Sequence, residues 1–444
     1  MCIRDRLYAG RLICSVLFGV NVALLGLAVF ICTERSFSAT VCAIFIFVSS
    51  TPILFVHSLA QSEAPFIMFM LSSFILISFY IVCSRSRLLF AASLCVACAI
   101  LTRYVGVTLL PPIVCVLLFL GNRSTKQKIK DTIIFVLIAL LPLMLWLARN
   151  VIISKTATGR SFAIHALEFQ HLKQFVFTMN IFVFPVSTPF WSKTLYVGVA
   201  AALFLISFVF LYKKKYFRNN ANTFSVIFPI PCMLFALIYL AFLVISISFF
   251  QADIRLSARF LLPAYLAIVM SGVSLTWHFS STLNNRLIWH GFVLFVFLSL
   301  AINSPSAVAV ALDIHRNGHG YTSRQWINSE TVARVKSFTE NVKIYSNGPD
   351  VIRLFTRKNI IMIPAITDPG TLRGNENYEK QMQLMCRELK EGKAILVYLK
   401  RIDRRWYLPT LQEINAKCVM PVLANLSDGI IYGHSARQTE QCIP

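Results

Sequence analysis

The first two thirds of the chain alternate long apolar runs with short polar segments. A bilayer core about 30 Å thick requires about 20 helical residues, and open-edged strands cannot lie in lipid, so these runs predict membrane-spanning helices. The neighbouring runs 88–102 and 105–120 read either as two short spans or as one re-entrant hairpin. The pattern as a whole predicts about ten spans, at residues 12–32, 41–57, 64–83, 88–102, 105–120, 131–148, 194–212, 225–249, 260–277 and 287–302.

The apolar runs stop near residue 303, and the rest of the chain has an ordinary mixed pattern. Alternating short strands and helices there predict a small, partly parallel sheet. The predicted fold is therefore an α-helical polytopic membrane bundle, residues 11–302, with a C-terminal soluble α/β domain, residues 303–444. The predicted elements of that domain are strand Lys343–Asn347, helix Pro349–Thr356, strand Ile360–Ile363, helix Glu376–Lys390, strand Ala394–Leu399, helix Leu408–Ala416 and strand Cys418–Leu423.

The first ten residues stand apart from this pattern. The segment Met1–Arg6 reads like the translation of a sequencing-library adapter and has no apolar core of a signal peptide. On this interpretation residues 1–10 are an adapter-derived start followed by the remainder of an outer loop, and the natural chain begins upstream. The alternative is a genuine short polar N-terminus.

Composition agrees with a membrane protein. Of the 444 residues, 57% are hydrophobic and only 14% are charged, where soluble domains carry about a quarter charged residues. One set of loops holds 12 basic residues in about 40 positions and the opposite set holds 8 in about 60, which places the first set in the cytoplasm. The predicted location is the plasma (inner) membrane, with the C-terminal domain extracytoplasmic. The net charge of +23 follows from these loops and does not indicate a nucleic-acid partner.

Cysteines add little chemistry. Cys95 and Cys98 form a C-x-x-C pair inside an apolar run, where buried helix positions are favoured over a redox or metal site. Three cysteines follow residue 303, namely Cys386, Cys418 and Cys442, and they allow one disulfide.

Acidic residues are scarce in the membrane region, so each one is informative. Glu63 follows His57 closely and begins a predicted span, and Pro65 suits the first turn of a helix. A carboxylate at that position is favoured by the helix dipole alone. The other interpretation is a carboxylate in a substrate cavity, since ionisable groups at membrane depth usually face a cavity or a partner.

Arginines gather on the same predicted side. Arg103 and Tyr104 separate two apolar runs, and Arg103 either snorkels to the interface or binds phosphate through its planar guanidinium. Arg255 and Arg259 are four residues apart and share a face if their segment is helical, whereas Asp253 paired with an arginine would form an interfacial anchor. The predicted substrate-binding residues are His57, Glu63, Arg103, Tyr104, Asp253, Arg255 and Arg259, and the predicted ligand is an anionic, lipid-linked molecule.

Four short motifs occur in the order seen in a known superfamily. The segments 9–11, 61–66, 99–106 and 259–263 together resemble the GT-C superfamily of membrane glycosyltransferases, close to glycosyltransferase family 39. The resemblance implies transfer of a sugar from a polyprenyl-phosphate donor to an acceptor that the sequence does not identify, on the extracytoplasmic side. It implies no organic cofactor and leaves the need for a divalent cation open.

The resemblance also implies a catalytic aspartate in the first outer loop, which would lie upstream of this chain. No catalytic residue is therefore assigned, the chain as written is expected to be inactive, and Glu63, Arg103 and Arg259 are carried over only as donor-cavity residues. A transporter or lipid-linked glycan flippase is the main alternative, although such proteins often contain internal repeats and none is visible. A non-catalytic membrane scaffold is the other alternative.

Overall fold

The protein folds as a helical bundle followed by a small sheet domain. The computed structural model describes residues 3–156, 162–213, 223–250, 253–338, 342–402 and 405–433. The helices of the bundle are α1 Ile3–Cys32, α2 Phe37–Val48, α3 Thr51–Ser58, α4 Glu63–Cys83, α5 Ser86–Thr102, a 3-10 turn Tyr104–Leu109, α6 Leu110–Phe119, α7 Thr125–Ser154, α8 Phe169–Val183, α9 Phe190–Lys213, α10 Phe224–Ile227, α11 Pro229–Phe249, α12 Ala258–Leu283 and α13 Arg286–Asn317.

Fewer helices are long enough to cross a membrane than the apolar runs predict. Within the described residues six helical stretches qualify by length and composition, at Tyr8–Cys32, Glu63–Cys83, Thr125–Ser154, Phe224–Phe249, Ala258–Leu283 and Arg286–Asn317. The count becomes seven if α2 and α3, which meet at a 65° bend, form one span. The predicted count of about ten is therefore not reached.

Local breaks account for part of the difference. The run 41–57 is divided because Pro52, in the first turn of α3, cannot donate a backbone hydrogen bond to the end of α2. The runs 88–102 and 105–120 are separate helices, both shorter than a full span. The run 194–212 lies within α9, which is not among the six stretches.

Short connections fix the neighbours of α4 and α5. Ser84 ends α4 in the left-handed conformation with φ 58°, and α5 begins two residues later. Helices joined this tightly must run antiparallel side by side. The start of α4 and the end of α5 therefore lie at the same end of the bundle.

The opposite end of α4 is held by a separate polar network. Asp131 on α7 is buried and accepts hydrogen bonds from the Tyr80 hydroxyl at 2.5 Å and from Arg123 Nη1 at 2.7 Å. Because Tyr80 lies 17 residues after Glu63 on α4, this network lies about 25 Å from Glu63. The two charged clusters are therefore independent.

The C-terminal domain contains one five-stranded sheet. Its strands are β1 Lys343–Ser346, β2 Ile360–Met362, β3 Ala394–Leu399, β4 Val422–Asn425 and β5 Gly429–Tyr432, in the order β2-β1-β3-β5-β4. β1 pairs in parallel with β2 and β3, and β5 pairs antiparallel with β3 and β4. The helices of this region are α14 Arg324–Ile327, α15 Glu330–Lys336, α16 Pro349–Thr356, α17 Tyr378–Lys390 and α18 Leu411–Lys417.

The prediction for this sheet is confirmed in its first half. β1, β2 and β3 lie where the sequence predicts them, and the sheet is partly parallel as expected. The last predicted strand, Cys418–Leu423, is displaced toward the C-terminus, since β4 begins only at Val422, and β5 was not predicted. The one expected disulfide is present and joins Cys386 on α17 to Cys418 after α18.

Several contacts attach the domain to the end of the bundle that carries Glu63. α13 continues through the predicted boundary at 303 and ends at Asn317. Arg11 in α1 then donates hydrogen bonds to Ser58 O at 3.2 Å and to Thr322 Oγ1 at 2.9 Å. The domain therefore covers the same helix ends at which the predicted site residues lie.

Candidate functional site

Three helix ends meet at one buried carboxylate. Glu63 is the first residue of α4, Arg103 caps the end of α5, and Arg259 is the second residue of α12. Glu63 Oε1 accepts a hydrogen bond from Arg103 Nη1 at 2.6 Å and another from Arg259 Nε. The Glu63 side chain is fully buried, whereas those of Arg103 and Arg259 are 10% and 46% exposed. Of the three, Arg259 is therefore the side chain most accessible to a ligand.

A glycine makes the position of Arg103 achievable. The backbone at Arg103 is extended, which ends α5, and the 3-10 turn that follows folds back onto the helix it has just left. A Cβ at Gly106 would lie 2.8 Å from the backbone of Ala99 and Ile100. Only glycine permits this approach, and the tight turn holds Arg103 over the start of α4.

An aromatic ring completes the ion cluster. The ring of Phe260 lies 5.6 Å from Arg103 Cζ and 5.9 Å from Arg259 Cζ. The backbone oxygen of Phe260 accepts a hydrogen bond from the hydroxyl of the buried Tyr239 at 2.8 Å. Two guanidinium groups against one carboxylate leave one net positive charge in this cluster.

The second oxygen of the central carboxylate is also buried. Glu63 Oε2 makes no hydrogen bond to any residue that the structure describes. Buried polar atoms are normally satisfied, and unsatisfied ones cluster at functional sites. Glu63 thus orients the two arginines through one oxygen and keeps acceptor capacity on the other.

His57 lies in the core and does not enter the cluster. Its Nδ1 is 2.9 Å from Ile53 O, and its Nε2 is 3.1 Å from Asn21 Nδ2. Phe18 and Phe47 pack edge-on against the imidazole ring. Asn21 also donates a hydrogen bond to Ala64 O in the first turn of α4. Through Asn21, His57 therefore helps to hold the start of this helix in place.

Tyr104 is likewise directed elsewhere. Its hydroxyl accepts a hydrogen bond from Trp146 Nε1 at 2.8 Å, which joins it to α7. Arg149 lies over the same indole ring at 5.1 Å and is exposed. This arrangement matches an arginine and aromatic residues anchored at a membrane interface.

A cavity of about 650 Å³ lies between the bundle and the C-terminal domain. It borders the ion cluster through Phe260, but its lining includes neither Glu63 nor Arg103. Those two residues are neighbours, as predicted, but they lie beneath the cavity wall. The lining residues are Asp253, Ile254, Arg255, Ser257, Phe260, Tyr321, Trp326, Arg401, Ile402, Arg405, Trp406 and Tyr407.

The predicted pairing of Asp253 with an arginine is replaced by a contact across the cavity. Asp253 Oδ1 accepts a hydrogen bond from Trp406 Nε1 of the C-terminal domain at 3.1 Å. Arg255 is exposed and lines the cavity. α8 holds this segment in place, because Thr178 Oγ1 donates to Leu256 O at 2.7 Å.

The domain side of the cavity was missed by sequence reasoning. Arg405 Nη2 donates to Asp350 Oδ1 at 3.0 Å, and the Tyr321 hydroxyl donates to Asp350 Oδ2. Partial burial opposes ionisation of Asp350, but these two contacts outweigh it and hold the pKa of the carboxyl below its usual value. Burial, reinforced by the neighbouring carboxylate, raises the pKa of Tyr321 to about 12. Tyr321 therefore stays protonated and Asp350 ionised at neutral pH.

Comparison with known families bears on the first third of the chain. Residues 3–146 match the family model of dolichyl-phosphate-mannose-protein mannosyltransferases. The chain is a relative of the GT-C membrane glycosyltransferases. No curated protein matches it. The predicted resemblance is thus confirmed for the part that contains Glu63 and Arg103, whereas Arg259 and the C-terminal domain of this GT-C relative lie outside the matched residues.

Proposed function

We propose that the protein transfers a sugar from a polyprenyl-phosphate donor to an acceptor at the end of the bundle that carries Glu63. The observation that carries this proposal is the buried carboxylate that orients two arginines beside a basic cavity. Two of its three residues lie within the part of the chain that matches the mannosyltransferase family. A guanidinium group suits a phosphate because it offers parallel hydrogen bonds in one plane.

The proposed reaction is a direct displacement at the anomeric carbon. The acceptor hydroxyl oxygen forms the new bond to that carbon, and the bond from the carbon to the phosphate oxygen breaks. The electron pair leaves with polyprenyl phosphate, and the hydroxyl proton passes to a base that is not assigned here. Positive groups fixed near the leaving phosphate stabilise the charge that develops on it.

Exposure assigns different roles to the three residues. Arg259 is nearly half exposed and is proposed to contact the donor phosphate, together with Arg255 in the cavity wall. Glu63 is fully buried and acts as a positioning residue for both guanidinium groups. Arg103, one tenth exposed, is proposed to place its charge beneath the phosphate.

Replacing Arg259 with alanine is expected to weaken binding of polyprenyl monophosphate by roughly 10- to 150-fold, because one charge-assisted contact is lost. The measurement is equilibrium binding to the full chain in lipid nanodiscs. Arg149→Ala is the matched control, since Arg149 is also an exposed arginine at an outer helix end.

Two results would contradict the proposal. One is equal affinity in the Arg259→Ala variant and the unsubstituted protein. The other is translocation of a labelled polyprenyl-phosphate sugar across the membrane of proteoliposomes that contain the protein, without cleavage of its sugar–phosphate bond. The second result would favour the transporter or flippase interpretation.

The proposed site is extracytoplasmic. Two observations support this side: the lysine-rich segment 123–130 lies at the opposite end of the bundle, and the C-terminal domain contains the Cys386–Cys418 disulfide. Disulfides form and persist in oxidising compartments outside the cytosol.

An alkaline phosphatase reporter fused after Asn317 is therefore expected to be active in cells. The same reporter fused after Asn285, in the turn between α12 and α13, should be inactive because that turn lies at the other end of the bundle. Fluorescence from a green fluorescent protein fused after Asn317, together with an inactive phosphatase there, would reverse the orientation.

A further inference from the structure

The cavity has two walls of different origin. Residues between Asp253 and Phe260 form the bundle wall, and the C-terminal domain supplies the other side. We define the domain wall as Tyr321, Trp326, Arg401, Arg405, Trp406 and Tyr407. A volume of about 650 Å³ falls within the range of small-molecule sites. The bundle wall is continuous with the ion cluster through Phe260, so the domain wall faces whatever molecule approaches the proposed donor site.

The charge of the lining favours an anion. It contains three arginines (Arg255, Arg401 and Arg405) and one acid, Asp253, and the Asp350 carboxylate pairs with Arg405 behind the wall, so the net charge is 3 − 2 = +1. The Asp253 carboxylate is already engaged by Trp406. Arg401 is exposed, and its Nη1 donates a hydrogen bond to Gln325 O at 2.7 Å. This contact fixes the position of the guanidinium group at the cavity.

The aromatic groups of the domain wall suit a carbohydrate. Trp406 and Tyr321 are 42% and 38% exposed, and the hydrogen bonds of their polar atoms to Asp253 and Asp350 fix the orientation of the rings. A sugar ring offers an apolar C–H face that packs on an aromatic ring, while its hydroxyl groups bond to the polar rim. Aromatic side chains with a few convergent polar groups are typical of such sites.

We infer that the domain wall binds the acceptor, and that the acceptor is a glycan carrying a negative charge. The role as acceptor rests on the proposed function, because it follows from placing the donor phosphate at Arg259, the residue before Phe260 of the bundle wall. The donor's own sugar phosphate has the same chemistry, an anionic group beside a sugar ring. Binding of the donor would depend on the bundle side of the cavity and Arg259, whereas binding of the acceptor would depend on the domain wall.

The test uses the full chain in lipid nanodiscs with glucose 6-phosphate as the probe and glucose and inorganic phosphate as comparisons. Binding is measured by saturation-transfer NMR titration. Arg401→Ala is expected to weaken glucose 6-phosphate binding on the order of 10- to 100-fold, through loss of a charge-assisted contact, and to leave glucose binding unchanged. Trp406→Ala should weaken binding of both sugars, whereas Trp406→Phe, which keeps a ring, should retain most of it. Arg387→Ala, an exposed arginine on α17 of the same domain, is the matched control.

A second measurement separates the acceptor from the donor. Arg401→Ala should leave the affinity for polyprenyl monophosphate unchanged, while Arg259→Ala should lower it. Equal glucose 6-phosphate affinity in Arg401→Ala and the unsubstituted protein would overturn the inference, as would a parallel loss of both ligands in Arg401→Ala. Glucose 6-phosphate binding that depends on Arg401, in a protein that does not bind polyprenyl monophosphate, would defeat the proposed function and the acceptor role while the anionic-sugar site stands. Thermal unfolding of each variant shows that the domain remains folded.

Discussion

Replacing Glu63 with glutamine should cost the protein about 3–5 kcal/mol of stability, because it breaks a buried ion pair from one side only. Arg103 would keep its charge while only 10% exposed, and Arg259 would face it without the intervening carboxylate. The measurement is the thermal unfolding of the full chain in detergent, compared with Glu34→Gln. Glu34 is an exposed acid at the opposite end of the bundle, so its loss should change little.

A double variant sharpens this expectation. Glu63→Gln combined with Arg103→Gln removes both partners of the closest pair and should recover part of the lost stability, because no uncompensated buried charge remains between them. Unfolding of Glu63→Gln at the same temperature as the unsubstituted protein would show that the cluster does not hold the three helix ends together.

In a full-length chain that includes the expected catalytic aspartate, replacing Arg103 with alanine should lower sugar transfer from a polyprenyl-phosphate donor by roughly 30- to 1000-fold, which corresponds to about 2–4 kcal/mol of lost transition-state stabilisation. The guanidinium group counts most as the phosphate leaves, so the turnover number should fall more than the Michaelis constant rises. Arg103→Lys should restore activity only in part, since an ammonium group lacks the planar fork. Transfer is followed as release of labelled sugar from the donor by equal amounts of folded protein.

Stability must be separated from chemistry in that experiment. Arg103→Ala also leaves Glu63 with one partner, so each variant is compared at a temperature well below its own unfolding transition. Arg149→Ala again serves as the control for loss of an arginine at the same end of the bundle. Unchanged transfer in Arg103→Ala would refute the proposed role of this residue.

The ion cluster could be predicted from the sequence because few ionisable groups occur among the apolar runs. A carboxylate or guanidinium group at membrane depth needs a partner, and only a few acids and arginines were present on one side. Counting the turns of the bundle then placed Glu63 and Arg103 at the same end, where the structure brings them to 2.6 Å. His57 and Tyr104 lie near them along the chain, but their partners, Asn21 and Trp146, are set by helix packing that no local pattern records.

Other features depended on contacts distant in sequence. The domain wall joins Tyr321 to Arg405 through Asp350, across separations of 29 and 55 residues. Nothing in the local sequence of the stretch containing Arg401, Arg405 and Trp406 shows that it faces a cavity. The number of spans was not confirmed for a different reason. The length of an apolar run shows that it suits lipid, but it does not show that Pro52 divides the run 41–57 into two helices that meet at a bend.

The Cys386–Cys418 bond also restricts the unfolded chain. The 32-residue separation encloses β3 and α18, and closing a loop of that size removes about 3–4 kcal/mol of conformational freedom from the unfolded domain in the chain-entropy account. A thiol reductant in a purification buffer removes this restraint from the domain and leaves the bundle unaffected, because the described cysteines of the bundle are free thiols. The two parts of the protein are therefore expected to differ in how their stability responds to a reductant.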